Sequence, residues 1–510
     1  EVPVPTTYSQ AMRGSHSQAW YASMSRELHS LIERQTWREG YIPPGIKAIA
    51  TKWVYNVKSS LLFKSRLVAR GDQRPRNSFE PESDSPTLSR VSLNTLFAVG
   101  QTLGWHMHAL DVDCAYLYGD VPDSVRGKVW LQLPQGMQPS LPHVEGRTIG
   151  LDLQHTLYGL RFSGRQWFMK LHKFLVANGY SPSVVDPCIY LRRSATGFVA
   201  IAVYVDDLAV FSSSAQLLSD TKSCLMTRFK MKDLGEISRY LGLEVERTET
   251  SFTYHVAPYI AELVAQYLPD DHPPVLSPAD PGVRLSARAC PVPGSDEERF
   301  MASVPYDSLV GSLSYIAVAV RPDIARSVHT LQRAQAHPTQ AHWQAALRVL
   351  QYLRSTPTLG PRYSTSAGTQ TQLQVQAYVD ASFAPDWHDD DGVSVSGFIV
   401  YFAGGPIAWA SHKQKHVAGS TCESEFIALS ECLNVIEWIR HFLGELGIIQ
   451  QKTKVFEDNQ AAISLATSLS VSGTSRHVVV RYARVREAVA NETLDVIYVP
   501  TNLQYADTLT

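Results

Sequence analysis

Between residues 197 and 211 the chain reads GFVAIAVYVDDLAVF, an apolar run with two adjacent carboxylates, Asp206 and Asp207, at its centre. The composition is that of a buried strand. Two like charges ~4 Å apart repel by roughly 4 kcal/mol at an effective dielectric near 20. Burying either one unpaired costs several kcal/mol more. Something must offset that cost, and a divalent cation is the usual candidate. One segment cannot surround a pair of cations, so further acidic ligands are expected elsewhere in the chain.

At 510 residues the chain is too long for one core. Its 44% hydrophobic and 18% charged residues are globular values. A net charge of −2 does not by itself indicate a nucleic-acid binder, but the distribution is uneven. Arg38, Lys47, Lys52, Lys58, Lys64, Arg66, Arg70, Arg74 and Arg76 face only Glu39 and Asp72 in the same stretch. That excess suits phosphate contacts, although a solvated basic face has the same composition. The six cysteines (Cys114, Cys188, Cys224, Cys290, Cys422 and Cys432) form no CxxC pair. They read as reduced thiols of an intracellular protein, not as disulfides or a zinc site. No apolar stretch reaches the length of a membrane span. The opening EVPVPTTYSQ has no signal-peptide pattern and no initial Met, so the chain is expected to be part of something longer.

Residues 8–36 predict a helix with Trp20, Met24, Leu28, Leu31 and Ile32 on one stripe. AIATKWVYNVKSS and FKSRLVARG predict the strands of a basic hairpin. A helix at LSRVSLNTLFAVGQTLGW precedes a strand at HMHALDVDCAYLYG, and GRQWFMKLHKFLVANG predicts another helix. The Pro- and Asp-rich stretch from 267 to 298 reads as a linker, followed by helices. From about residue 372 the pattern turns to strands, then a long helix, a strand, a short helix and a final strand, a strand-first α/β unit.

Asp111, in ALDVDCAYLYGD, is the natural partner for Asp206 and Asp207. Alternation puts Asp111 and Asp113 on the same face, so periodicity does not choose between them. The last unit has its own acids: Asp380 in AYVDASF, Asp458 in TKVFEDNQAAI and Asp507 after the final strand. In GSTCESEFIALSE, Ser420 with Glu423 is a capping box that explains Glu423 structurally. Glu425 has no such explanation and lies beside the buried stripe of Phe426, Leu429, Leu433, Ile436, Ile439 and Leu443.

With YVDD at 204–207, LDVDCAYLYGD, TLYGLRFSGRQW, SRLVARG, MKDLGEISRYLGLEVER and GSTCESEFIALSE in order, the chain resembles the reverse transcriptase and ribonuclease H region of copia-type long-terminal-repeat retrotransposons. The resemblance covers essentially residues 8–510. It implies a mixed α/β chain: right-hand polymerase fingers and palm over 1–265, the linker with a helical thumb or connection over 266–371, and a ribonuclease H-like α/β domain over 372–510. Asp111, Asp206 and Asp207 match the palm acids, leaving Asp113 a bystander. Tyr116 matches the aromatic position whose ring leaves no room for a ribose 2′-OH. Lys64, Arg66 and Arg70 are candidates for triphosphate or template-backbone contacts. Asp380, Glu425, Asp458 and Asp507 match the nuclease acids. Each site then takes two magnesium or manganese ions. The implied partners are an RNA template, a DNA or transfer-RNA primer, deoxynucleoside triphosphates and the RNA–DNA hybrid. The implied setting is cytoplasmic virus-like particles, with nuclear access, and not secretion or a membrane.

The chain departs from that family at Phe162, Ser163 and Gly164, where Gln-Ala-Pro is usual, and at Val479 and Ala483, where an acid and a histidine are common. The SSLLF stretch shortens the basic hairpin's turn. Two rivals to a working polymerase with ribonuclease H follow: an inert nucleic-acid-binding remnant, and a nuclease in which only the C-terminal site functions because Phe162 disables the first.

Overall fold

The computed structural model describes the chain apart from residues 1, 58–61, 74–81, 269–272, 287, 365–372, 385–391 and 469–475; for 476–482 the backbone alone is described. Lys58, Arg74, Arg76, Val479 and most of the SSLLF turn therefore lie outside the described residues. Helices Tyr8–Arg13 and Ser17–Glu33 cover an antiparallel hairpin of β1 (Thr51–Val57) and β2 (Phe63–Ala69). Trp20, Met24 and Leu31 are buried on the expected stripe. Ile32 is instead 54% exposed, because Leu31 takes the inward direction and the next residue is turned about 100° away.

The central sheet is antiparallel. It is built on α1 (Arg90–Thr102), β3 (His106–Val112), α2 (Ser163–Ala177), β4 (Ile189–Ser194), β5 (Gly197–Tyr204), β6 (Asp207–Ser212) and β7 (Met231–Glu236). The strand order is β7-β3-β6-β5-β4, with Ser181–Pro182 at the edge. Every residue of β5 from Phe198 to Val203 is buried, which explains its unbroken apolar sequence: both faces of the sheet are covered. On one face Phe97 of α1 packs against Phe211, at 5.9 Å between ring centroids. On the other, Trp167, Leu171 and Leu175 of α2 join Val203, Leu208 and Val210.

Beyond helix Ala257–Tyr267, the described residues of 268–295 hold neither helix nor strand, as the proline content predicts. Among the described residues four α-helices follow before the last sheet: Asp296–Ser303, α3 (Tyr306–Ala319), α4 (Ala325–Arg333) and α5 (Gln340–Ser355). The last sheet contains β8 (Gln376–Ser382), β9 (Val395–Phe402), β10 (Gly405–Lys413), β11 (Thr453–Glu457) and β12 (Leu494–Tyr498), in the order β10-β9-β8-β11-β12. The hairpins β8–β9–β10 are antiparallel, and β8, β11 and β12 run parallel. Helix α6 (Thr421–Glu445) packs on β8 and β9, with the predicted apolar stripe fully buried. The whole is a mixed α/β chain ending in a five-stranded mixed sheet with α6 packed on it.

The apolar core is continuous from α1 through α3 to the last sheet. Polar contacts seal the same junction. Glu445, ending α6, accepts from the Ser183 hydroxyl at 2.5 Å and from Val184 N–H at 2.7 Å. Arg193 donates to the Glu445 carbonyl, and Asn94 to the Ile407 carbonyl. All six cysteines are free. Among the described residues no helix is long and apolar enough to cross a membrane.

Candidate functional site

Antiparallel pairing sets Asp207 opposite Asp111 across β6 and β3, and opposite Tyr204 across β6 and β5. Val205 and Asp206 are thus the two turn residues of a tight hairpin. Val205 has φ +55°, a left-handed conformation that β-branched residues rarely adopt. Two hydrogen bonds hold it there: the Trp167 indole donates to the Val205 carbonyl at 2.6 Å, and Val112 N–H to the Asp206 carbonyl at 2.9 Å. Asp111, Asp206 and Asp207 are all half-buried. Burial, then the charges of Asp206 and Asp111, push the Asp207 carboxyl up to about 6. This is the repulsion anticipated from the adjacent acids. Asp113 goes elsewhere. It lies past the end of β3, and Arg34 and Lys230 pair with it at 3.8 and 3.5 Å. Alternation could not separate it from Asp111 because it assumes a strand that continues, whereas Cys114 breaks the strand at φ +58°.

Tyr116 sits in a short turn, Ala115–Tyr118, half-buried, with its phenol raised by burial and by nearby Asp206 and Tyr204. Its ring meets Tyr158 edge-on at 5.3 Å between centroids. Of the basic candidates, exposed Arg66 lies over the Tyr158 ring at 5.4 Å. Arg70 forks onto Asp72 at 3.1 and 2.9 Å. Lys64 is half-buried on β2 opposite Asn56. Phe162 is buried in the fingers-side core with Leu157 and Leu160.

The second centre is tighter. Ligand oxygens of Asp380, Glu425 and Asp458 all lie within 4.8 Å of one another, from β8, the first turn of α6 and the residue after β11. Among the described residues it is the one such group; the palm acids stand further apart. Asp380 is 8% and Glu425 4% exposed. Burial pushes Asp380 up to about 6, against a hydrogen bond from the Thr510 hydroxyl, with Asp458 and Asp507 adding to the rise. Asp507 itself is exposed and outside the trio, close enough to act on Asp380 through its charge. Thr501 donates to Asp458 at 2.7 Å. Glu423 accepts from Gly419 N–H at 2.7 Å, which accounts for it at the helix start.

Glu457 was not singled out from the sequence. It is fully buried, and one carboxylate oxygen accepts from Asn459 N–H at 3.1 Å. Its second oxygen and one of Glu425's are buried without a hydrogen-bond partner. Burial and mutual repulsion hold both carboxyls well above the usual range. Alternation could have found it, because Thr453, Val455 and Glu457 all face inward on β11. Hard carboxylate oxygens left unsatisfied in a buried acidic cluster fit a divalent cation such as magnesium or manganese.

Residues 34–279 match the family model described as reverse transcriptase (RNA-dependent DNA polymerase). The chain is 33% identical over 497 residues to the retrovirus-related Pol polyprotein from transposon TNT 1-94 of Nicotiana tabacum, a match covering 96% of this chain and 36% of that protein. It is 32% identical over 515 residues to the Pol polyprotein from transposon RE1 of Arabidopsis thaliana, covering 99% and 33%. The chain thus spans about a third of the length of the curated relatives it matches. Among solved structures it is similar to the foamy viral protease-reverse transcriptase in complex with dsDNA, at 13% identity and a TM-score of 0.54, covering 94% of this chain and 83% of that one. That likeness is one of fold.

Proposed function

Because the chain belongs to the copia-type reverse transcriptase regions of retrovirus-related transposon Pol polyproteins, we propose that it is an RNA-directed DNA polymerase whose C-terminal part is a ribonuclease H acting on RNA–DNA hybrids. The observation that carries the reading is the pair of acidic centres at the ends of central strands in two separate sheets. We assign 1–265 to fingers and palm, 266–371 to linker and thumb or connection, and 372–510 to the nuclease.

At the first centre Asp111, Asp206 and Asp207 would hold two divalent cations; at the second Asp380, Glu425, Asp458 and Asp507 would do so. Such cations, when bound, activate the attacking oxygen and stabilise the leaving one. The protein's part is placement. The Trp167-tethered turn presents Asp206 beside the facing pair of Asp207 and Asp111. Tyr116 lies against the incoming sugar, where a 2′-OH would clash. The substrates are deoxynucleoside triphosphates and a primer, DNA or transfer RNA, on an RNA template. The nuclease reads hybrid shape and 2′-OH groups, not bases. The foamy viral relative in fold was solved with dsDNA, which supports a duplex partner.

Primer extension on an RNA template with magnesium, run beside degradation of a labelled hybrid, tests this. Asp206→Asn should lower extension on the order of a thousandfold and leave degradation; Glu425→Gln should do the reverse, each losing several kcal/mol of charge stabilisation. Degradation without extension by the unmodified chain would favour the nuclease-only reading. Neither activity would leave the inert remnant.

A further inference from the structure

We propose that Tyr158 is a positioning residue for sugar selection: its ring, backed by Arg66 and anchored through Thr156, fixes the ring of Tyr116 at the nucleotide site. The inference rests on the polymerase reading and goes beyond it, since it locates the origin of the gate's rigidity in a loop outside the strands that bear the acids.

Three observations carry it. First, the ring of Tyr158 has two partners. The Arg66 guanidinium lies 5.4 Å from its ring centroid, and the Tyr116 ring stands against it at 5.3 Å and 67°. An edge-to-face aromatic pair with a cation on the π-face has a preferred geometry, so each ring restricts the other. Arg66, a candidate for phosphate contact, thus also meets an aromatic ring.

Second, the loop that bears Tyr158 is fastened to two neighbours. Ala69 N–H donates to the Tyr158 carbonyl at 2.8 Å, at the end of β2. Gly159 has φ +88°, and a Cβ there would lie 2.1 Å from the Ala69 carbonyl oxygen. A Cβ on Gly71 would come within 2.3 Å of the Gly159 oxygen. Backbone thus rests on backbone, a contact that only glycine allows. From the same loop the Thr156 hydroxyl donates to the Tyr116 carbonyl, and Thr156 N–H to the Gly119 carbonyl at 2.8 Å. Main chain and ring of Tyr116 are gripped from one side by residues two apart.

Third, a residue without a side chain lies beside Tyr116. Gly164 is the nearby residue of α2, and a Cβ built on it would only just reach the ring, at 3.8 Å. Glycine there offers the ring no side-chain brace, whereas Tyr158 meets it ring to ring. Excluding one hydroxyl requires sub-ångström placement, and a ring free to swing would admit it.

Single-nucleotide insertion on an RNA template, with kcat/KM measured for a deoxynucleotide and the matching ribonucleotide, tests this. Both substrates are read by the same enzyme, so the ratio is independent of the folded fraction. Tyr116→Ala sets the scale of a lost gate. Tyr158→Ala should reduce the preference for deoxynucleotide at least tenfold, chiefly through better use of the ribonucleotide. Tyr158→Phe, which keeps the ring, should stay within twofold of the unmodified chain. An unchanged ratio in Tyr158→Ala beside a collapsed one in Tyr116→Ala would overturn the inference while leaving the polymerase reading intact. Absence of insertion by the unmodified chain would overturn both. If Tyr158→Ala inserts nothing, Arg66→Ala decides: about a threefold loss of preference supports the clamp, and an unchanged ratio refutes it.

Discussion

Gly164 occupies the first turn of α2, where glycine costs about 0.5–1 kcal/mol relative to alanine. Nothing near it demands glycine, since a Cβ would make ordinary contact with Ser85 and Tyr116 at 3.8 Å. Gly164→Ala should therefore raise stability by about 0.5–1 kcal/mol, read as a higher urea midpoint at unchanged m-value. Phe162, two residues earlier, departs from the family with its ring buried in the core beside Leu157 and Leu160. At this scale single acids were legible where an apolar strand made them anomalous, as at Asp111 and Asp206. Glu457 was legible only through its alternation with Thr453 and Val455, since an acid beside Asp458 at a strand end otherwise looks like ordinary strand-terminal polarity.

The strands and helices that carry these residues were largely legible, because period-two and period-3.6 patterns report burial directly. Their ends were not. The stripe of the N-terminal helix was read one residue too far, to Ile32, and β3 was read on to Gly119, past its end at Val112. Convergence between elements was also hidden: no periodicity brings β8, α6 and β11 within 4.8 Å, and the likeness to a known family supplied that expectation. The packing of those three elements makes a pH prediction. Asp380 is raised from 3.8 to about 6, so between these values the folded chain binds more protons than the unfolded one, and stability falls as pH rises through the window. About two units correspond to about 3 kcal/mol. In EDTA, Asp380→Asn should be more stable than the unmodified chain at pH 7.5 and lose that advantage by pH 4. Magnesium should raise the melting temperature of the unmodified chain at pH 7.5 and have little effect at pH 5. Scanning calorimetry at the three pH values would check it; equal pH dependence in both proteins would refute the buried cost.

Across the whole molecule, the junction between palm and nuclease-like sheet is a docked surface. Glu445 takes two hydrogen bonds from the edge hairpin of the palm, and apolar packing continues beneath it. Removing a charged acceptor and leaving the buried Ser183 O–H and the Val184 N–H without it costs about 1–3 kcal/mol. Glu445→Ala should lower the urea midpoint accordingly. On a hybrid with a fixed primer end, it should also broaden the distribution of RNA cut positions, as read on a sequencing gel. A sharp, unshifted distribution would show that the junction does not set the spacing.

Among the described residues an apolar seam runs unbroken from α1 to β10 between the elements that bear the two acidic centres. On the proposed reading, a duplex spanning both would bend to suit a packed protein. Local stiffness of the copied sequence, with no base recognised at all, would then dictate where copying pauses and where the spent strand is nicked.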